Sequence, residues 1–290
     1  MAEAFRFAVG AFSCLIIRDN AMRYPGALFF SNLPKDVYEL RLREAGQSAD
    51  EVELDYTCLL IDTGRHRVLL DTGIGPFALG PNPGKLVAIL RAQGVAPEQI
   101  DTVVVSHAHP DHFGGSVDES GKPTFPNARY VMAQKEWEYW TSNPSLAELA
   151  LDEGFKAYIL ASTKKALAGV GSQLDLIQPD TEIIPGIVAM AAYGHTPGHM
   201  VIELSSGDQR LLFAADAVIL PVHLEFPETI SGVDHMPGEV VATRIKLLEK
   251  AAKEELLVWF SHFPFPSLGT VVRKGERWRW RPIEPARAAR

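Results

Sequence analysis

Cysteine is nearly absent from this 290-residue chain: only Cys14 and Cys58 occur. Both sit in apolar, strand-like runs. That excludes a disulfide framework and a thiolate zinc site and suits two buried thiols. Positive charge is also short, with 28 Lys and Arg against 36 Asp and Glu, a formal net charge of −8. Non-specific nucleic-acid binding needs a basic footprint, so that class is disfavoured. No apolar run reaches membrane-spanning length. The Phe5–Ile17 stretch is interrupted by Arg6, Gly10 and Ser13 and lacks a basic leader, so neither a membrane span nor a signal peptide is read. With so few cysteines, the expectation is a cytoplasmic protein. Low-complexity linkers are missing too, which predicts one domain over residues 1–290, with a frayed tail at Ala286–Arg290. Apolar residues make up 47% of the chain, enough to exclude wholesale disorder. What is plentiful is histidine: nine in all, six of them in three short segments.

The apolar residues fall into short runs punctuated by turns. Phe5–Ile17 reads as a strand. Cys58–Ile61 and Val68–Leu70 flank Asp62-Thr63-Gly64-Arg65 as a hairpin. Helices are expected over Lys35–Ala45, Gly84–Gln93 and Gln134–Trp140, and over Leu146–Leu167 with a break at Gly154. Thr102–Val105, Arg129–Met132, Ile183–Ala189, Met200–Leu204, Leu211–Ala214 and Leu256–Phe260 read as strands. Glu239–Ala252 predicts a helix with Val241, Ile245, Leu248 and Ala252 on its buried stripe. Val271–Arg273 and Trp278–Arg281 close the series as a hairpin around Lys274-Gly275. Strand-rich halves punctuated by helices point to a layered sandwich rather than a regular βαβ repeat.

The segment Ser106-His107-Ala108-His109-Pro110-Asp111-His112 directly follows the Thr102–Val105 strand. On an extended backbone, residues two apart share a face, so His107 and His109 can point at one centre. Pro110 keeps His109 extended. The turn that follows presents Asp111 and His112 nearby, and Phe113-Gly114-Gly115 lets the chain bend away. Four imidazole or carboxylate donors within six residues suit zinc or another borderline divalent ion. Gly194-His195-Thr196-Pro197-Gly198-His199, Asp216 and Ser261-His262-Phe263-Pro264 are weaker singly. Each also lies beside the end of an apolar strand, where a sheet can gather distant residues onto one rim.

Taken together, His-x-His-x-Asp-His, Gly-His-Thr-Pro-Gly-His, a later Asp and a last His resemble the metallo-β-lactamase-fold hydrolase superfamily. Leu69-Leu70-Asp71-Thr72-Gly73 fits as well, and the likeness spans about Phe5 to Pro282. It implies an α+β fold, a four-layer αββα sandwich, with two divalent metal ions at one edge. Zinc is the first choice, with manganese, iron or cobalt as alternatives. Carried over position by position, His107, His109 and His195 would hold one ion, and Asp111, His112 and His262 the other. Asp216 would bridge them. Asp71 and His199 would orient the ligands. A glutamate at the position of His109 marks di-iron oxygen-reductase relatives, so histidine there argues against electron transfer.

The resemblance further implies two ions roughly 3.5–4 Å apart sharing a hydroxide nucleophile, with Asp111 assisting catalytically. Thr57–Ile61, Glu136-Trp137-Glu138-Tyr139-Trp140, Phe226-Pro227, Ser261–Pro266 and Val271–Pro282 look like the quorum-quenching lactonase and methyl parathion hydrolase branch. Its substrates would be small molecules: a lactone of the acyl-homoserine type or an aryl ester, with an organophosphate triester as the alternative. A glyoxalase II-type thioester hydrolase and a non-catalytic, metal-stabilised binding protein are further alternatives. Some lactonases carry a tyrosine three residues after the bridging aspartate, where this chain has Ile219. That departure favours the esterase and phosphotriesterase readings. Phe113, Ile219, His223 and Phe263 are candidates for the substrate pocket. Leu28-Phe29-Phe30 is expected to form a pocket wall or a homodimer surface.

Overall fold

A computed structural model describes residues 3–79 and 82–283; the Ala286–Arg290 segment lies outside them. Two seven-stranded mixed sheets stack face to face. The first takes its strands in chain order: β1 (Ala4–Val9), β2 (Phe12–Tyr24), β3 (Val52–Asp62), β4 (Arg67–Leu70), β5 (Thr102–Val104), β6 (Arg129–Ala133) and β7 (Leu174–Ile177). Its first four strands are antiparallel neighbours and the rest pair in parallel. Parallel pairing demands crossovers. These carry α2 (Leu86–Ala92), α3 (Pro110–Phe113), α4 (Gln134–Thr141) and α5 (Glu153–Val170), while α1 (Lys35–Glu44) lies between β2 and β3.

The second sheet runs β8 (Thr181–Ile184), β9 (Ile187–Ala191), β10 (Met200–Ser206), β11 (Gln209–Phe213), β12 (Leu257–Trp259), β13 (Leu268–Lys274) and β14 (Arg277–Pro282). Its one parallel pair, β11 with β12, is joined through α6 (Val222–Glu225) and α7 (Pro237–Lys253).

Alternation along the strands sets the layers. Ile16, Leu59, Ile61, Val68, Leu70 and Val104 face the second sheet, packing with Ile202, Leu204, Phe213 and Trp259. Their neighbours Leu15, Ile17, Cys58, Leu60, Leu69 and Val103 face outward onto Leu90 of α2, Trp140 of α4 and Ile159 of α5. Val201, Leu212 and Val258 turn the other way onto Leu247, Leu248 and Ala251 of α7. The result is the expected αββα sandwich. A fourth apolar cluster joins Phe29, Phe30, Tyr38, Leu54 and Tyr56 to Ile74, Ile219 and Val222 at one end. Among the described residues no helix is long and apolar enough to cross a membrane.

Several elements depart from the sequence reading. Phe5–Ile17 is two strands, because the chain reverses at Gly10, whose φ of 56° favours glycine. Ile183–Ala189 folds back similarly at Gly186. Helix α5 starts only at Glu153, where the Asp152 carboxylate accepts the Phe155 N–H at 2.9 Å. Gly154 therefore sits in the first turn rather than at a break. The buried stripe of α7 is Val240, Arg244, Leu247, Leu248 and Ala251, and Ile245 is 39% exposed. Arg244 takes an inward place because the carbonyls of Ala217, Pro227 and Thr229 accept from its guanidinium. Reading arginine as solvent-facing rotates the stripe by one position. Strand β7 was not foreseen; its largely half-exposed residues make a weak apolar signal.

Candidate metal centre

The seven predicted donor residues converge at one rim of the sandwich. His107, His109, Asp111 and His112 come from the turn after β5. His109 is extended (φ −65°, ψ 152°), and Pro110 opens α3, which lifts Asp111 and His112 into place. The second sheet supplies His195 from the β9–β10 loop, Asp216 after β11 and His262 after β12. At Gly198 the β9–β10 loop presses so close to α4 that a Cβ would lie 2.1 Å from the Glu136 nitrogen. Only glycine fits that approach.

Two donor groups form. His109 Nδ1 lies 3.1 Å from His107 Nε2 and 3.0 Å from His195 Nε2. His112 Nε2 and His262 Nε2 are 3.2 Å apart, and Asp111 Oδ2 is 3.5 Å from each. Asp216 stands between the groups. Its Oδ1 is 3.2 Å from His112 Nε2 and 3.1 Å from His262 Nε2, and its Oδ2 is 3.4 Å from His195 Nε2. Donors held 2.0–2.1 Å from a tetrahedral zinc would be separated by about 3.3 Å.

Hydrogen bonds on the outside fix which nitrogen carries the proton. His112 Nδ1 donates to Asp71 Oδ2 at 2.7 Å, His195 Nδ1 to Asp234 Oδ1 at 2.9 Å, and His262 Nδ1 to the Asp55 carbonyl at 2.9 Å. Ser106 donates its hydroxyl to Asp71 Oδ2, which leaves its oxygen to accept from His107 Nδ1 at 3.1 Å. His109 Nε2 faces His235 Nε2 at 3.1 Å, and His235 Nδ1 reaches the Tyr139 hydroxyl at 2.8 Å. With the outer nitrogens protonated, the neutral rings turn lone pairs inward. Five lone pairs and two carboxylates face each other without a shared proton donor, and Asp216 Oδ1 has no hydrogen bond although it is buried. Such an arrangement is repulsive unless a cation occupies it, which is the donor chemistry a divalent metal requires.

Burial, then the neighbouring imidazoles, hold His107 and His109 well below the usual histidine range. Burial opposes charging His112 as well, but Asp216 and Asp111 outweigh it and raise that ring well above its ordinary value. A proton there competes with a cation for the same nitrogen. His199 is pushed down to about 3, mainly by burial. It donates from Nδ1 to the Ala192 carbonyl, and its Nε2 accepts the Asp216 backbone N–H at 3.1 Å. His199 therefore positions the Asp216 turn.

A model of the metallo-beta-lactamase superfamily matches residues 53–262, most of the chain and every donor described above. The chain belongs to the metallo-beta-lactamase superfamily. Among solved structures, this member resembles AidC, a dizinc quorum-quenching lactonase in complex with a product. The TM-score is 0.91 at 26% identity, covering 97% of both chains. It also resembles a hydrolase of the beta-lactamase superfamily, AbOPH, with a TM-score of 0.88 at 26% identity over 98% of each chain. An N-acyl homoserine lactonase of Bacillus cereus is 27% identical over 232 residues, covering 73% of this chain and 82% of the relative.

Beside the donors this superfamily member opens a cavity. His109, Asp111, His195, Asp216 and His262 form one side. Leu28, Phe29, Leu54, Ile74, Ile159, Ile219 and Val233 line the other, with the rings of Tyr24, Tyr56 and Tyr158. Ile219 and the Leu28-Phe29 segment thus stand on the cavity wall. The other three residues expected there do not. Phe113 is packed under the helices of the first sheet, and Phe263 stacks on Phe260 at 4.1 Å in the opposite layer. His223 accepts the Leu220 N–H and donates to the Phe29 carbonyl, bracing the wall from behind.

Sequence reasoning missed three supports. Asp234 lies in a polar stretch that reads as loop, and His235 carried no signal beyond its residue type. Glu136 is fully buried, and burial raises its pKa. Its carboxylate accepts from Ala108 N, Trp140 Nε1, Thr196 Oγ1 and Gly198 N at 2.7–2.9 Å, clamping the two histidine loops together. An acid one helical turn before Trp140 was the only hint.

Proposed function

We propose that this chain is a metal-dependent hydrolase that opens a small lactone of the acyl-homoserine type. His107, His109 and His195 hold one divalent ion, Asp111, His112 and His262 a second, and Asp216 is shared between them. Zinc suits these nitrogen and carboxylate donors; manganese, iron and cobalt are the alternatives. The observation that carries the reading is the set of five inward lone pairs joined through Asp216 at the mouth of an apolar cavity. The lactonase relatives support the substrate class.

When bound, the ions would polarise the acyl oxygen and lower the pKa of a shared water, supplying a hydroxide nucleophile at neutral pH. The chain's own residues do the rest. Asp71, Ser106, Asp234 and the Asp55 carbonyl keep the ring protons on the outer nitrogens. Asp111, at 21% the most open of the donor side chains in the second group, accepts a proton from the attacking water. Water adds to the acyl carbon and the ring C–O bond breaks, leaving a carboxylate and a hydroxyl. The apolar wall holds the acyl chain and excludes bulk water.

A second reading, hydrolysis of an aryl ester or aryl phosphotriester, is favoured by Ile219 and the aromatic rings of the wall. The test is a hydrolysis panel on metal-analysed protein: acyl-homoserine lactones, aryl esters, an aryl phosphotriester, a β-lactam and a glutathione thioester. Highest kcat/KM on a lactone is expected. A strong preference for the thioester overturns the proposal.

A further inference from the structure

The apolar wall is built partly from two pieces of chain that lie far apart in sequence. Leu28 and Phe29 follow β2, while Ile219 and Val233 follow β11. Where the two pieces meet, at residues 29–32 and 227–233, the chain is neither helix nor strand. The backbone groups there must find partners outside any regular ladder.

The 227–233 piece is held firmly. Its successive carbonyls point to opposite sides, as on an extended chain. Those of Pro227 and Thr229 turn inward and accept from the buried Arg244 guanidinium. Further on, Asp234 Oδ2 accepts the Ser231 N–H at 2.8 Å, and the His235 N–H donates to the His195 carbonyl at 3.0 Å. This piece is thus tied to α7 and to the histidine loop that carries a donor.

The alternate carbonyls, those of Glu228 and Ile230, turn outward and meet the other piece. Ser31 donates its backbone N–H and its hydroxyl to the Ile230 carbonyl at 3.0 and 2.9 Å, and the Gly232 N–H donates to the Leu28 carbonyl at 2.6 Å. Asn32 completes the seam. Its side-chain NH₂ donates to the Glu228 carbonyl at 3.0 Å, and its side-chain oxygen accepts the Ile230 N–H at 2.7 Å. A carboxamide offers a donor and an acceptor side by side; a carboxylate offers acceptors alone. Asn32 is exposed and does not line the cavity. Its two bonds compete with water and are individually modest, so this is a place where the seam can open locally. An ordered wall saves the substrate the cost of ordering it.

Building on the lactonase reading, we propose that Asn32 is a positioning residue for substrate selection. Its carboxamide fastens Leu28 and Phe29 to the 227–233 frame and so fixes how closely the cavity encloses a long acyl chain. A short acyl chain makes less use of that wall and is indifferent to the clasp. Asn32 thereby directs the enzyme toward long-chain lactones without touching substrate or metal.

The test varies chain length. Metal-loaded wild type, Asn32→Ala and Asn32→Asp are assayed on butanoyl- and decanoyl-homoserine lactone. Metal content and hydrogen exchange of the Ile230 and Gly232 amides are measured on the same samples. In Asn32→Ala, KM for the decanoyl lactone is expected to rise on the order of 10-fold. Its kcat, both constants for the butanoyl lactone and the metal content should stay within about twofold of wild type, while the two amides exchange faster. Asn32→Asp keeps an acceptor but loses the donor, and its KM for the decanoyl lactone should rise as well. Equal losses on both lactones or a loss of metal would mark a general structural defect and overturn the proposal. Unchanged amide exchange, or faster exchange with an unchanged KM for the decanoyl lactone, overturns it too. If wild type opens neither lactone, the lactonase reading falls and takes this inference with it. If wild type is active and the Asn32 variants are indifferent, only this inference fails.

Discussion

Two walls face each other across the cavity. On one, five imidazoles and two carboxylates converge, and each ring is fixed from behind by a bond to Asp71, Ser106, Asp234, His235 or the Asp55 carbonyl. On the other, leucine, isoleucine, valine and phenylalanine side chains meet only van der Waals neighbours, interrupted by three phenols. The first wall is directional. A lone pair turned away from its centre is lost, and a buried polar atom without a partner is expensive. The second wall is additive, because dispersion contacts are individually small and exchangeable. Precision is needed on one side and only volume on the other.

The contrast can be attacked from its strongest side first. Asp216→Ala removes the oxygen atoms shared by both groups. We expect metal content to fall and kcat/KM to drop by at least about 10³-fold, since the ions are asked to supply several kcal/mol of transition-state stabilisation. His109→Ala should behave likewise, and full metal content with full activity in either variant would sink the assignment. Next, Asp234→Ala frees His195 Nδ1 without touching a donor. Metal affinity or activity should fall roughly 10–100-fold, as is typical for groups that orient ligands, and competition with a chelator reads this out. On the wall, Ile219→Ala should shift the preferred acyl-chain length with about a 10-fold change in kcat/KM between neighbouring chains and no loss of metal. A metal loss there would erase the distinction between the walls.

The smallest effect concerns Asp19, behind the wall. Its carboxylate accepts the N–H groups of Ile74 and Leu86, yet burial raises it to about 6 from its ordinary 3.8. The folded state therefore binds this proton more tightly than the unfolded one. Its contribution to stability is greatest below about pH 4 and is lost as the pH rises through about 6. Carbonyl-carbon NMR of the Asp19 side chain should show a midpoint near 6; one near 4 would contradict the burial argument.

The same contrast explains what could be read from the sequence. His107, His109, Asp111 and His112 fall within six residues at a strand end, so their convergence follows from local geometry alone. Asp216 and His262 are single residues whose meaning came only through resemblance. Asp234, which bonds His195, and Glu136, which clamps the two histidine loops, are brought in by tertiary packing, and only Glu136 left a faint local hint, one helical turn before Trp140. The wall misled in another way. Phe113 and Phe263 each adjoin a donor in sequence, but neighbouring residues on a strand or turn point to different sides, so both enter the layers instead of the cavity. Many residues that do line it, among them Tyr24, Leu54, Tyr56, Phe155 and Ile159, lie far from every histidine motif.

Glu136 bears on how such a protein can change. One carboxylate staples the β5–α3 turn of the first sheet to the β9–β10 loop of the second, so the relative position of the two histidine loops does not depend on the segment between β2 and β3 that supplies Leu28 and Phe29 to the apolar wall. That segment can lengthen, shorten or be exchanged while the donors keep their registry. Heredity can therefore explore new substrates at one address of the molecule without reopening the question of how to hold a metal at another.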